Sequence, residues 1–125
     1  MSRPVIYIAS PYTIGQVGLN TRFQCDVFER LCNDGVVWPV VPLWSHFQHL
    51  IHPRPYDAWI EYDLALLAKL DGVLRLDASY PAMGYHQHES RGADREVAEA
   101  TRLGLPVYYS VEELYLDVRE KNRLT

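Results

Sequence analysis

The hydrophobic positions change period along the chain, and those changes mark its elements. Val5 to Ala9 is a short unbroken apolar run with β-branched residues, the pattern of a strand covered on both faces. From Thr21, with Asn20 as a reasonable N-cap, Phe23, Val27, Phe28, Leu31 and Cys32 recur at helical spacing until Asn33-Asp34-Gly35 stops the helix. Val36 to Val41 reads as a second strand, held short or to a sheet edge because Pro39 removes a ladder donor. Pro42 to Pro55 reads as a long irregular connection. Tyr56 to Leu70 is a second helix, with Trp59, Ile60, Leu64, Leu66, Leu67 and Leu70 on or near its buried side. Asp71-Gly72 then turns the chain into a third strand, Val73 to Leu76, and Asp77 to Arg91 follows as a loop. A helix from about Ala93 ends near Leu103-Gly104, Pro106 to Tyr109 forms a fourth strand, and Val111 to Lys121 closes the chain as an amphipathic helix. Ser110 and Glu113 supply a capping box at its start.

Alternating β and α segments predict a three-layer α/β/α domain around a small parallel sheet, doubly wound in the flavodoxin-like manner, with about four to five strands. With 125 residues and 48% apolar content, one domain over residues 1–125 is the expectation. Ligands of such sheets sit at the carboxyl ends of the strands. The Ser10-Pro11-Tyr12-Thr13-Ile14-Gly15 loop after the first strand is therefore the first expected wall of a site.

Charge narrows the partners. A formal net charge of -4 offers no basic stripe to neutralise phosphates, so a nucleic-acid binder is disfavoured and a small-molecule or protein partner expected. Cys25 and Cys32 read as buried or half-buried thiols in a reducing cytosol, too far apart along a helix to bridge. The start of the chain carries no signal-peptide pattern, and its longest apolar run, Val36 to Trp44, is broken by Pro39 and Pro42. A soluble, cytoplasmic protein without a membrane partner is the expectation.

The chemistry centres on Ser90 to Ala100, a polar loop with Gly92 running into a helix. Glu96, in or just past the first turn, is expected to be stabilised as an anion by the helix N-terminus and to be a plausible nucleophile. A plain first-turn acid is the competing reading, although Ala93 at the third position before Glu96 supplies no capping oxygen. Asp63 is out of pattern: its helical neighbours are Trp59, Ile60, Leu66 and Leu67, so its carboxylate leans onto an apolar face. A structural hydrogen bond and a catalytic role both fit it. Asp57 and Glu61 look like ordinary solvated acids. His46, His49 and His52 are spaced wrongly for a helical metal site, and His86 with His88 is a weak pair. Lining a pocket or belonging to a mobile polar lid fits these histidines better, and no metal is expected.

In their order and spacing, Ile6-Tyr7-Ile8-Ala9-Ser10-Pro11-Tyr12, Asp63-Leu64, Asp71-Gly72-Val73 and Gly92-Ala93-Asp94-Arg95-Glu96-Val97 cover most of the chain. With these motifs the chain resembles the nucleoside 2-deoxyribosyltransferase superfamily, including its 2'-deoxynucleoside 5'-monophosphate N-glycosidases. The resemblance implies cleavage or transfer at an N-glycosidic bond, with Glu96 as the carboxylate that attacks the anomeric carbon, Asp63 assisting the departing base and Tyr7 orienting the nucleophile. It places Ser90 where the hydrolase branch has a serine, and makes Ser10, Pro11, Tyr12, Gly92, Asp94, Arg95 and His46 substrate-binding candidates. It also implies no cofactor, a nucleoside or nucleoside 5'-monophosphate as substrate, and a homodimer or larger homo-oligomer. Where the family has a second glycine before the glutamate, this chain has Asp94, which adds charge and bulk near the expected sugar or phosphate. Arg91 and Arg95 fit either a phosphate or ion pairs with Asp94 and Glu99.

Two other readings stand beside this one. The same crevice would serve a non-catalytic module that senses or sequesters a nucleotide. A generic flavodoxin-like domain is disfavoured, because no Gly-x-Gly-x-x-Gly follows the first strand. Trp38, Trp44, Trp59, Tyr108, Tyr109 and Tyr115 are candidates for either core or a subunit interface.

Overall fold

The computed structural model describes residues 3–10, 17–42, 45–76, 79–80, 85–86 and 91–124. Its central sheet is parallel and has four strands. In chain order the elements are β1 (Val5–Ala9), α1 (Val17–Asp34), β2 (Trp38–Val40), α2 (Ser45–Ile51), α3 (Tyr56–Leu67) and β3 (Gly72–Arg75). They are followed by β4 (Ser79–Tyr80), β5 (Tyr85–His86), α4 (Arg91–Arg102), β6 (Val107–Tyr108) and α5 (Val111–Arg123). The strand order is β2-β1-β3-β6, and β4 with β5 forms a separate antiparallel pair. Because the chain leaves β1 toward β2 and leaves β3 toward β6, the two central strands diverge at their carboxyl ends. Such a switch point opens a crevice.

Alternation along β1 divides the interior in two. Ile6 and Ile8 face Leu31 of α1 and Leu114, Tyr115 and Val118 of α5. Tyr7 and Ala9 face Leu67 of α3 and Ala93 and Ala100 of α4. The result is the expected three-layer α/β/α arrangement. Pro39 lies in β2 at the sheet edge, opposite Ile6, where a missing ladder donor costs nothing on the open side. At the far end of the chain, the Ser110 hydroxyl accepts from the Glu113 amide at 3.0 Å, while the Glu113 carboxylate accepts from the Tyr109 amide rather than that of Ser110.

Several boundaries depart from the sequence expectation. α1 begins at Val17, so Asn20 is inside the helix and fully buried, and burial rather than capping sets its place. The stretch Pro42 to Pro55 is not wholly irregular: Ser45 to Ile51 is helical, with the Ser45 hydroxyl donating to the Pro42 carbonyl at 2.8 Å. Its period was invisible to burial reasoning because α2 buries none of its residues. The expected loop after β3 contains the short β4–β5 pair. α4 starts at Arg91 rather than Ala93, which moves Glu96 into the second turn. Cys25 is exposed, contrary to expectation, while Cys32 is half-buried; both are free. No helix among the described residues is long and apolar enough to cross a membrane.

Candidate functional site

Tyr7 is the centre of β1 and points its ring into the α3/α4 face, where it is completely buried. Its hydroxyl donates to Oε2 of Glu96 on α4. Glu96 itself is 4% exposed, among Ala93, Ala100 and the β1 side chains, which is an unusual place for a carboxylate. α4 can come this close because Gly92 lets its first turn lie against α3: a Cβ there would be 3.2 Å from the Tyr56 hydroxyl and 3.5 Å from Ile60. Asp63 approaches from α3, and its Oδ1 is buried with no hydrogen-bond partner among the described residues.

Burial governs the titration of all three groups. It pushes the Glu96 carboxyl up to about 8; the Tyr7 hydroxyl and the Arg75 guanidinium pull the other way, and the Asp63 charge adds to the rise. Asp63 is pushed up to about 7 by burial alone. Tyr7 is raised well above its ordinary value, first by burial and then by the two carboxylates. The expected anionic stabilisation of Glu96 by a helix N-terminus is therefore corrected: it sits in the second turn, where the terminal field has faded, and desolvation wins. The apolar face onto which Asp63 leans accounts for the rise of its own carboxyl. As a coupled pair, the two carboxyls titrate together, well above the ordinary carboxyl range.

These groups open onto a cavity of about 270 Å³. Ser10 and Gln24 form one wall, His46 and His49 of α2 another, and Asp63, Gly92 and Glu96 the floor. His49 is fixed by its neighbours: its Nδ1 accepts from Trp59 Nε1 at 2.8 Å and from the Arg54 amide at 3.2 Å, so the ring N–H is at Nε2. Arg54 lies over the Trp59 ring at 6.0 Å. A larger neighbouring groove of about 720 Å³, lined by Val40, Trp59, Tyr62 and Leu66, contains no buried titratable side chain among the described residues, and the two buried carboxyls lie in the smaller cavity.

Of the residues singled out in the sequence, Tyr7, Asp63 and Glu96 are brought together, and Ser10, His46 and Gly92 line the same cavity. Asp94 and Arg95 do not line it. Asp94 is largely exposed and lies 3.6 Å from the buried Arg75, and Arg95 pairs loosely with Asp57 at 3.8 Å. Glu99 pairs with Arg102 rather than with Arg95. Pro11, Tyr12, Ser90 and Trp44 lie outside the described residues. Among the aromatics, Tyr108 and Tyr115 are core, while Trp38 and Tyr109 are exposed.

Two residues of the site escaped the sequence reading. Gln24 is 1% exposed and has Val27, Phe28 and Leu31 at its third, fourth and seventh following positions, the same out-of-pattern polarity that marked Asp63. Arg75 ends β3, buried, with Nη1 donating to the Leu76 carbonyl at 2.6 Å. A cation inside the run Val73 to Leu76 was its signal. No protein-family model matches the chain, and no curated protein matches it in sequence.

Proposed function

We propose that this protein cleaves or transfers at the N-glycosidic bond of a nucleoside or nucleoside 5'-monophosphate, as the nucleoside 2-deoxyribosyltransferase superfamily does. The observation that carries the reading is the convergence of two buried carboxyls from separate helices on one cavity, one bonded to Tyr7 and the other with an unpartnered oxygen. Such a pair suits a reaction that passes through an oxocarbenium-like state. Glu96, in the form of the coupled pair whose shared proton is on Asp63, attacks C1' as the bond to the base breaks. The bonding electrons leave with the base nitrogen, which takes the proton of Asp63. Water, or an incoming base, then opens the glycosyl ester with Asp63 receiving the proton. Tyr7 holds the attacking oxygen through its hydroxyl. No metal or organic cofactor is called for by these steps.

Incubating wild-type protein and Glu96→Ala with ribo- and deoxynucleosides and their 5'-monophosphates, and measuring free base by chromatography, tests this. Base released by the wild type and lost in the variant is the expected result. Equal release by both proteins, or none from any substrate, would overturn it. Ligand binding without turnover in both proteins would point instead to the non-catalytic module.

The same reading includes a homodimer or larger homo-oligomer. Phe47, Leu50 and Ile51 of α2 are 63%, 65% and 72% exposed, and a seven-residue helix that buries nothing needs an external surface to hold it. Sedimentation at micromolar concentration should give more than one chain per particle, and Leu50→Glu should reduce it to one.

A further inference from the structure

Gln24 is almost wholly enclosed, yet only half of its amide is used. Its Nε2 donates to the Ser10 hydroxyl, while its Oε1 is buried without a hydrogen-bond partner among the described residues. A native interior seldom leaves an amide oxygen so placed, because the lost water contact is not repaid. Both residues line the cavity that contains Asp63 and Glu96. With its oxygen accepting from Gln24, the Ser10 hydroxyl retains its own proton to donate. The pair therefore brings one unused acceptor and one free donor proton together at the wall of the cavity.

We propose that Gln24 and Ser10 recognise a hydroxyl group on the sugar of the ligand. An alcohol is both donor and acceptor, so it can give its proton to Gln24 Oε1 and receive that of Ser10. A phosphate, which only accepts once ionised, and an apolar edge would each leave Gln24 Oε1 as it is in the empty cavity. This rests on the N-glycosidic reading for the nature of the ligand, and not for the presence of an unused acceptor. Gln24 is a specificity residue in this account. Asp63, the other carrier of a buried unbonded oxygen, is already assigned to the departing base.

The test compares wild type with Gln24→Met, which keeps length and removes the amide. Base release from a nucleoside is measured beside its 2'-, 3'- and 5'-deoxy analogues and beside base analogues lacking an exocyclic amine or oxo group. Wild type should favour the parent over one deoxy analogue by about 10- to 100-fold in kcat/KM, and Gln24→Met should erase that preference while changing the base preferences little. If the variant instead loses a base preference, or loses none, the sugar-hydroxyl assignment is overturned. A second readout needs no substrate. The melting temperature of ligand-free Gln24→Met should stay within about 2 °C of wild type or rise, because the residue satisfies a ligand rather than the fold. A fall of roughly 5 °C or more would show Gln24 to be structural and would also overturn the proposal. Absence of base release from wild type would fail the N-glycosidic reading, and the melting comparison would then decide Gln24 by itself.

Discussion

Among the described residues, three tyrosine–carboxylate hydrogen bonds link helices to the core, and the acids at two of them, Asp117 and Glu96, shift in opposite directions. On the α1/α5 side, Tyr108 donates to Asp117 and Tyr115 donates to Asp34 at 2.7 Å, each acid at the rim of the core. Asp117 also has Lys121 at 2.9 Å, and the bonds from Tyr108 and Lys121 hold its carboxyl below the usual range. On the α3/α4 side, Tyr7 makes the same kind of bond to Glu96, and the acid is driven up to about 8 because burial outweighs the bond. The pairing alone does not decide ionisation; the depth of burial of the acid does. One side of the sheet has an ordinary structural rim, and the other holds two buried carboxyls that keep protons to unusually high pH.

Removing either carboxyl of the α3/α4 side breaks the comparison most sharply. Glu96→Ala should lower base release by about 10³-fold or more, the scale of losing a nucleophile. Asp63→Asn, which keeps shape and loses the transferable proton, should cost about 10²- to 10⁴-fold in kcat. Tyr7→Phe leaves Glu96 without its donor, so activity should fall about 10- to 100-fold and Glu96 should titrate higher still. If Tyr7→Phe lowered the Glu96 pKa, the assignment of that bond would be wrong.

Stability should record the same contrast more quietly. Glu96 and Asp63 have folded pKa values raised from ordinary carboxyl values to about 8 and about 7, so the folded state binds more protons than the unfolded chain between those limits. The stability they contribute is complete below about pH 4 and is lost as pH rises through 7 and 8. Thermal melts of wild type should fall across that window, with Glu96→Gln melting flatter and gaining about 1–3 kcal/mol above pH 8. Tyr108→Phe, on the rim, should cost only about 0.5–1.5 kcal/mol and leave the shape of the pH dependence unchanged. Equal pH slopes for Glu96→Gln and wild type would refute the stored-proton account.

Much of this was legible in the residues. The apolar run Val5 to Ala9 fixed a central strand, and two-residue alternation put Tyr7 on one face and Ile6 and Ile8 on the other. Asp63 betrayed itself by standing among Trp59, Ile60, Leu66 and Leu67. The ionisation of Glu96 was misread, since a sequence locates a carboxylate on a helix but not the depth at which tertiary packing sets it. α2 was missed for a related reason: Phe47, Leu50 and Ile51 are spaced as a helix, yet none of the described residues buries them. Gln24 could have been found by the argument that found Asp63, since it interrupts an apolar stripe in the same way. The partners of Asp94 and Arg95 came from β3 and α3, contacts that no local pattern encodes.

The pH dependence of kcat/KM for base release is the most direct test of the central claim, because it reports the titration of the free enzyme's acid and base. With Glu96 required as the anion and Asp63 as the acid, the profile should be bell-shaped with its maximum between about pH 7 and 8, the limbs belonging to the coupled pair. Asp63→Asn should abolish the fall on the alkaline side. A profile that peaks near pH 4 and has fallen away by pH 7, as a pair of ordinary exposed carboxyls would give, would contradict the account.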